Sequence, residues 1–173
     1  MIAIFSDTHR TDGHGLTGRA LEAAREADAV IHAGDFGSEA TYEAFLEECS
    51  RVYAVYGNVD GPALLERLPE RLTVEHEGVR FAVRHRPDGG LTSLSLFGRS
   101  VDADVVVYGH THRPSLTVTD DLLVCNPGSH AQPRGHRPGF ATLTVEDGRL
   151  VGAIEEPDGT PIESIDHVLD RSD

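Results

Sequence analysis

MIAIFSDTHRTDGHGLTGRALEAAREADAVIHAGD, residues 1–35, is the stretch on which the fold turns. Met1 to Phe5 is an unbroken apolar run that stops at Ser6, the length of a buried strand. Leu16, Ala20, Leu21, Ala23, Ala24 and Ala27 then recur at helical spacing and predict an amphipathic helix over 16–27. Ala29 to Ala33 is a second apolar run, closed by Gly34-Asp35. Outward from this unit the pattern repeats. Glu39 to Cys49 reads as a helix with Tyr42, Phe45 and Leu46 on one face, and Arg51 to Tyr56 as a strand closed by Gly57-Asn58. A β-α-β-α-β order predicts a parallel sheet with helices against it.

The remainder is richer in strands. Leu72 to His76 and Val79 to His85 flank Glu77-Gly78, Ser115 to Thr119 and Leu122 to Asn126 flank Asp120-Asp121, and Phe140 to Val145 and Leu150 to Glu155 flank residues 146–149. Each pair reads as a hairpin. Asp102 to Tyr108 is a further buried run, closed by Gly109-His110. From about residue 157 the chain turns polar, and a loose tail is expected there. No repeat, linker or change of composition divides the chain, so residues 1–173 are expected to form a single domain, in keeping with roughly 100–200 residues per domain.

Composition narrows the function. No apolar run approaches the roughly 18 residues of a bilayer span, and the N-terminus lacks a basic region before its apolar run. A cytoplasmic protein without a membrane anchor is expected. Cys49 and Cys125 are isolated and without metal-ligand spacing, so they read as reduced structural thiols. Asp plus Glu number 29 against 15 basic residues, for a net charge of −14, and every one of the 15 is Arg. Such a surface argues against broad binding of nucleic-acid polymers or anionic lipid. An acid excess without lysine also points to a salt-loving source, with drift in an ordinary acidic protein as the competing explanation.

The chemistry lies where the strands end. Asp7 and His9 follow the first, Asp35 the second, Asn58 the third; His85 follows a later one, and His110 with His112 the next. Ligand sites in open α/β sheets form outside the carboxyl ends of strands. Two Asp, one Asn and four His would therefore gather at one edge. That mixture of oxygen and imidazole nitrogen suits Mn, Fe, Co, Ni or Zn better than Mg or Ca alone. Seven ligands are too many for one ion with an open position and fit two ions sharing a carboxylate. Gly34, Gly57 and Gly109 each precede a candidate ligand, where a missing side chain lets backbone come close.

Ser6-Asp7-Thr8-His9, His32-Ala33-Gly34-Asp35, Tyr56-Gly57-Asn58-Val59-Asp60, His85 and Gly109-His110-Thr111-His112-Arg113-Pro114 resemble the calcineurin-like metallophosphoesterases. Asn126-Pro127-Gly128-Ser129 and Pro133-Arg134-Gly135 further resemble their small archaeal and bacterial phosphodiesterase branch, which is related to the retromer vacuolar-sorting subunit. The resemblance implies a four-layer αββα sandwich of mixed sheets. It also implies two divalent transition-metal ions, Mn foremost. Asp7, His9, Asp35 and His112 would hold one, and Asp35, Asn58, His85 and His110 the other. Asp35 would bridge, and Asp60 would orient the imidazoles from behind. The implied activity is hydrolysis of a small phosphoester, a diester foremost, by a hydroxide activated between the two ions. A homodimer would fit the branch.

Two positions depart from the family pattern. Val59 stands where many members carry a histidine that protonates the leaving group, and a lost acid costs about 10²–10⁴-fold with poor leaving groups. Slow turnover of ordinary esters and faster turnover of activated aryl phosphates is expected. Arg86 stands where His-Gly is usual after this strand, and its guanidinium is a candidate for a substrate phosphate. His130, near the expected mouth of the site, is the candidate substitute for the missing acid, against a structural role. His32 reads as a packed residue behind the ligands, and His14, His76, His136 and His167 as surface residues. The rival function is a protein-binding scaffold like the retromer relative.

Overall fold

The computed structural model describes residues 1–169, which form eleven strands and four helices. The first half runs β1 (Ile2–Phe5), α1 (Gly18–Glu26), β2 (Ala29–His32), α2 (Glu39–Glu48), β3 (Val52–Ala54) and α3 (Pro62–Arg67). There follow β4 (Arg71–His76), β5 (Val79–Arg84), α4 (Gly90–Ser100), β6 (Val105–Val107), β7 (Ser115–Thr119) and β8 (Leu122–Asn126). The chain closes with β9 (Phe140–Glu146), β10 (Arg149–Glu155) and β11 (Pro161–Val168).

Two mixed sheets result. One has the order β11-β10-β9-β1-β2-β3, the other β4-β5-β6-β8-β7. The expected parallel unit is present as β1, β2 and β3, with Phe5 beside His32 and His32 beside Ala54. The three expected hairpins, β4–β5, β7–β8 and β9–β10, are also present.

Side-chain alternation sorts these strands into four layers. Ile2, Ile4, Ala29 and Ile31 from the first sheet meet Phe81, Val83, Val105, Val107, Leu123 and Cys125 from the second in one core between the sheets. The residues between them point outward: Ala3, Phe5 and Val30 pack under α1, α2 and α3, while Ala82, Val106, Leu122 and Val124 pack under α4. A strand buried on both faces reads as a continuous apolar run, which is why Met1 to Phe5 shows no polar alternation. Both cysteines are buried and free, and burial pushes the Cys125 thiol up to about 12.

The C-terminal expectation requires correction. Pro161–Val168 is not loose but forms β11, hydrogen-bonded to β10 from Arg149↔Val168 to Glu155↔Pro161. Ile162 and Ile165 pack against the inter-sheet core, so a largely polar segment is ordered by ladder bonds and two apolar contacts. The end of the expected tail, residues 170–173, lies outside the described residues. No described helix is long and apolar enough to cross a membrane.

Candidate functional site

Five of the seven ligand candidates leave their strands in a conformation that side chains rarely adopt. Asp7 (φ 54°), His9 (φ 46°), Asp35 (φ 60°), His110 (φ 71°) and His112 (φ 57°) all lie in the left-handed region. Such residues cost on the order of 1–3 kcal/mol each and persist only where surrounding contacts hold them. Those contacts are visible. Asp7 N donates to Gly34 O at 3.0 Å and His9 N to Asp35 O at 3.1 Å, so the first two loops brace one another. Asp35 N donates to the Asp60 carboxylate at 3.0 Å, and His110 N donates to Asp7 Oδ2 at 2.9 Å.

The loops bring the candidates into two adjoining groups. Asp7, His9 and His112 offer ligand atoms within 4.8 Å of one another, and so do Asp35, His85 and His110. Asn58 belongs beside the second group, since its Oδ1 lies 3.0 Å from His85 Nε2 and 2.8 Å from His110 Nδ1. The groups meet at Asp35, whose Oδ2 is 3.2 Å from His9 Nε2 and equally 3.2 Å from His85 Nε2. All seven sequence candidates thus converge, although His112 and Asp7 come from different sheets. Asp7, Asp35, His85 and His112 are buried.

The imidazoles are aimed by what their other nitrogen meets. His85 Nδ1 donates to Ala33 O at 2.8 Å, which turns Nε2 toward Asp35. His112 Nδ1 donates to Gln132 O. Fixing one ring nitrogen on a carbonyl leaves the other free as a ligand. His9 Nε2 and His112 Nε2 are both shut off from solvent and lack a hydrogen-bond partner among the described residues. Both face Asp7 Oδ1, at 3.7 and 3.3 Å. Buried, unpartnered imidazole nitrogens beside buried carboxylates form a donor set that a divalent transition metal satisfies.

Without metal, protons take up part of this charge. Burial works against a charged His9, but Asp35 and Asp7 outweigh it and raise the imidazole to about 9. The same balance raises His85. Burial likewise opposes the Asp35 charge, yet His85 and His9 hold that carboxyl well below the usual range.

Glycines supply room rather than flexibility at two of the three positions noted in the sequence. A Cβ on Gly57 would stand 2.1 Å from Asp35 Oδ1, and one on Gly109 would stand 2.6 Å from Asp7 Oδ2. Gly34 supplies both: its φ is 92°, a conformation glycine adopts readily, and a Cβ there would stand 2.7 Å from Gly57 N.

One expected role changes, and one alternative is decided. Asp60 does not orient an imidazole. Its carboxylate accepts from three backbone N–H groups, those of Asp35 (3.0 Å), Gly37 (2.9 Å) and Gly57 (2.8 Å), and so ties the second and third ligand loops together. Of the two readings of His130, the structural one fits its position rather than that of an acid at the mouth. Its ring is buried edge-on to Phe5 at 5.6 Å, its Nε2 is bonded to His14 O at 2.9 Å, and burial pushes it down to about 4. His32 is packed as expected, stacked on Phe36 at 3.7 Å with Nε2 2.9 Å from Thr8 Oγ1. His136 is exposed, whereas His14, His76 and His167 are half-buried. Ser129 stood in the sequence only as part of the Asn126–Ser129 motif, with no role of its own. Its hydroxyl donates to Asp7 O at 2.6 Å and accepts from Gln132 N at 2.8 Å, fixing the loop whose carbonyl holds His112.

Comparison with known proteins shows the family. Residues 1–148 match the model of the calcineurin-like phosphoesterase superfamily domain. A probable metallophosphoesterase of Methanocaldococcus jannaschii is 32% identical over 152 residues, covering 85% of this chain and 77% of that one. A phosphodiesterase of the same organism is 31% identical over 159 residues, covering 84% and 92%. In fold, the chain is similar to vacuolar protein sorting 29 of Cryptosporidium parvum, with TM-score 0.81, 19% identity and coverage of 96% and 97%. The chain belongs to the calcineurin-like phosphoesterase superfamily, whose members are metal-dependent hydrolases of phosphoesters.

Proposed function

We propose that the protein is a phosphodiesterase that works with two divalent ions, one held by Asp7, His9, Asp35 and His112 and the other by Asp35, Asn58, His85 and His110. The observation that carries this reading is the place of Asp35 Oδ2, equidistant at 3.2 Å from an imidazole of each group, where a bridging carboxylate belongs. The named phosphodiesterase relative supports the diester preference. Mn is the favoured metal, with Ni, Co, Fe and Zn compatible with the same donors. Bound there, such ions would supply positive charge against the phosphoryl oxygens and make a nearby water acidic.

The chain's own groups do the positioning. Asp35 stays ionised because His9 and His85 face it, and Val59 N donates to its Oδ1 at 2.9 Å. Water adds to phosphorus, one P–O ester bond breaks, and the departing oxygen ends as an alcohol. Val59 offers that oxygen no proton: its side chain is 43% exposed and only its amide is engaged. Good leaving groups are therefore favoured. Residues 1–173 are taken to act as one domain on a small phosphoester.

Metal-stripped protein would be assayed at several salt concentrations against bis-p-nitrophenyl phosphate and p-nitrophenyl phosphate. Mn, Ni, Co, Zn and Mg would be restored one at a time, with Asp35→Asn as control. Diester turnover that needs metal and disappears in the variant supports the reading. A folded, metal-binding protein with no turnover under any condition replaces it with a docking scaffold, the role named above for the retromer relative.

A further inference from the structure

Arginines remote from the metal centre mostly end on an acceptor: Arg25 on Glu48, Arg67 on Glu39 and Glu43, Arg137 on Glu156, Arg149 on Asp166. Arg84 and Arg86, either side of His85, do not. Neither guanidinium makes a hydrogen bond among the described residues. Their contacts with Asp88 stop at ion-pair range, 3.7 Å for Arg84 and 3.3 Å for Arg86. Arg84 is nonetheless only 16% exposed, and its guanidinium lies over the Phe97 ring at 5.7 Å. Arg71 stands directly opposite Arg84 in the β4–β5 ladder, so both side chains leave the same face. Like charges so placed repel and need a counter-charge.

These groups border a cleft of about 170 Å³ that opens beside Asn58 and His85. Arg84, Arg86, Asp88, Tyr56 and Glu70 are also in its lining. Two arginines and two acids line it, with Arg71 paired to Arg84 in the ladder outside the lining, in a chain whose acids outnumber its arginines 29 to 15. Asp88 is 62% exposed in the loop before α4, so it can yield its place to an incoming anion.

We propose that this cleft receives a second phosphate of the substrate, next to the scissile ester, so that the substrate class is small phosphodiesters bearing a terminal phosphate. Guanidinium forks with unused N–H groups match phosphate oxygens in pairs. Asn58 and His85 belong to the cleft's lining, so a group seated in it would adjoin a phosphoryl held at the metals. Tyr56, also in the lining, would meet the sugar between. This rests on the phosphodiesterase reading above and extends it.

The test compares the dinucleotides TpT, pTpT and TpTp as substrates of the metal-loaded protein. In parallel, calorimetry compares binding of thymidine 3′,5′-bisphosphate and thymidine 5′-monophosphate. Wild type should favour one phosphorylated dinucleotide over TpT by about tenfold or more in kcat/KM, the scale of a charge-assisted hydrogen-bonded pair. It should also bind the bisphosphate more tightly by a similar factor. In Arg86→Gln, at a half-exposed side chain, both ratios should fall toward one, and Arg86→Lys should restore part of them. Ratios near one in wild type, or unchanged in a folded Arg86→Gln, overturn the inference. Bisphosphate preference that depends on Arg86, with no diester hydrolysed, upholds the subsite and sinks the phosphodiesterase reading instead.

Discussion

Replacing Gly57 by alanine adds one methyl group at the most crowded point of the centre. Its Cβ would lie 2.1 Å from Asp35 Oδ1, 2.4 Å from Asp35 N and 2.8 Å from Asp35 Cγ, where ordinary contact begins at 3.4 Å. Gly57 is not in the left-handed region, so alanine brings no backbone strain of its own, and the effect falls on its neighbour. Asp35 cannot swing aside freely. Its Oδ1 accepts from Val59 N and its N is held by Asp60, which also holds Gly57 N at 2.8 Å. Carboxylate and loop must separate by about 1 Å, and a displacement of that size costs roughly 10²-fold in turnover. Metal affinity should fall by about 10–100-fold, as it does when the groups supporting a ligand are lost. The assay is a calorimetric titration with Mn, followed by diester hydrolysis at saturating metal. Gly61→Ala is the control, since nothing lies within 4 Å of a Cβ there. Wild-type metal affinity and turnover in a folded Gly57→Ala would refute the claim that this glycine makes room for the bridging carboxylate.

Asp60→Ala strands three backbone N–H groups at a buried position and should destabilise the metal-free fold by about 2–4 kcal/mol in urea unfolding; a loss under about 1 kcal/mol would contradict its role as the tie between loops. Metal affinity should climb with pH between 6.5 and about 9, because His9 is raised across that interval and must shed its proton to bind. The sign for stability follows: the raised His9 steadies the metal-free protein below 6.5 and that contribution is lost as pH passes about 9. The melting-point gain on adding metal should therefore grow with pH over the window, and a flat or falling gain would count against a protonated apo centre. With a net charge of −14, the unfolding midpoint should rise from dilute buffer to molar NaCl as self-repulsion is screened; an unchanged midpoint removes the salt-loving reading.

Much of the fold was legible because the signals were local. Fully buried strands announce themselves as apolar runs, and the Glu77-Gly78 and Asp120-Asp121 breaks mark hairpins whatever the rest of the chain does. The elements that escaped notice carry weak local signals. α3 is six residues behind Pro62, α4 begins and nearly ends on glycines, and β11 has only Ile162 and Ile165 to bury. Each is ordered by a partner that packs or pairs with it: α3 by Leu64 and Leu68 under the first sheet, α4 by Leu94 on the second, β11 by β10.

At the centre the division is similar. Residue type and position after a strand are properties of a few neighbours, so the sequence by itself determined the seven ligand candidates and their placement at strand ends. That Asp35 would bridge came from the resemblance alone; its Oδ2 stands between the two groups because His85, from the second sheet, reaches it only when the sheets pack. Nor could the sequence assign the partners of groups that look alike in one dimension. Asp60 serves three amides rather than an imidazole, His130 turns into the aromatic core rather than the mouth, and Arg84 and Arg86 are left without hydrogen bonds beside a cleft. Those outcomes depend on ångström-scale distances between segments far apart in the chain, and only tertiary packing decides them.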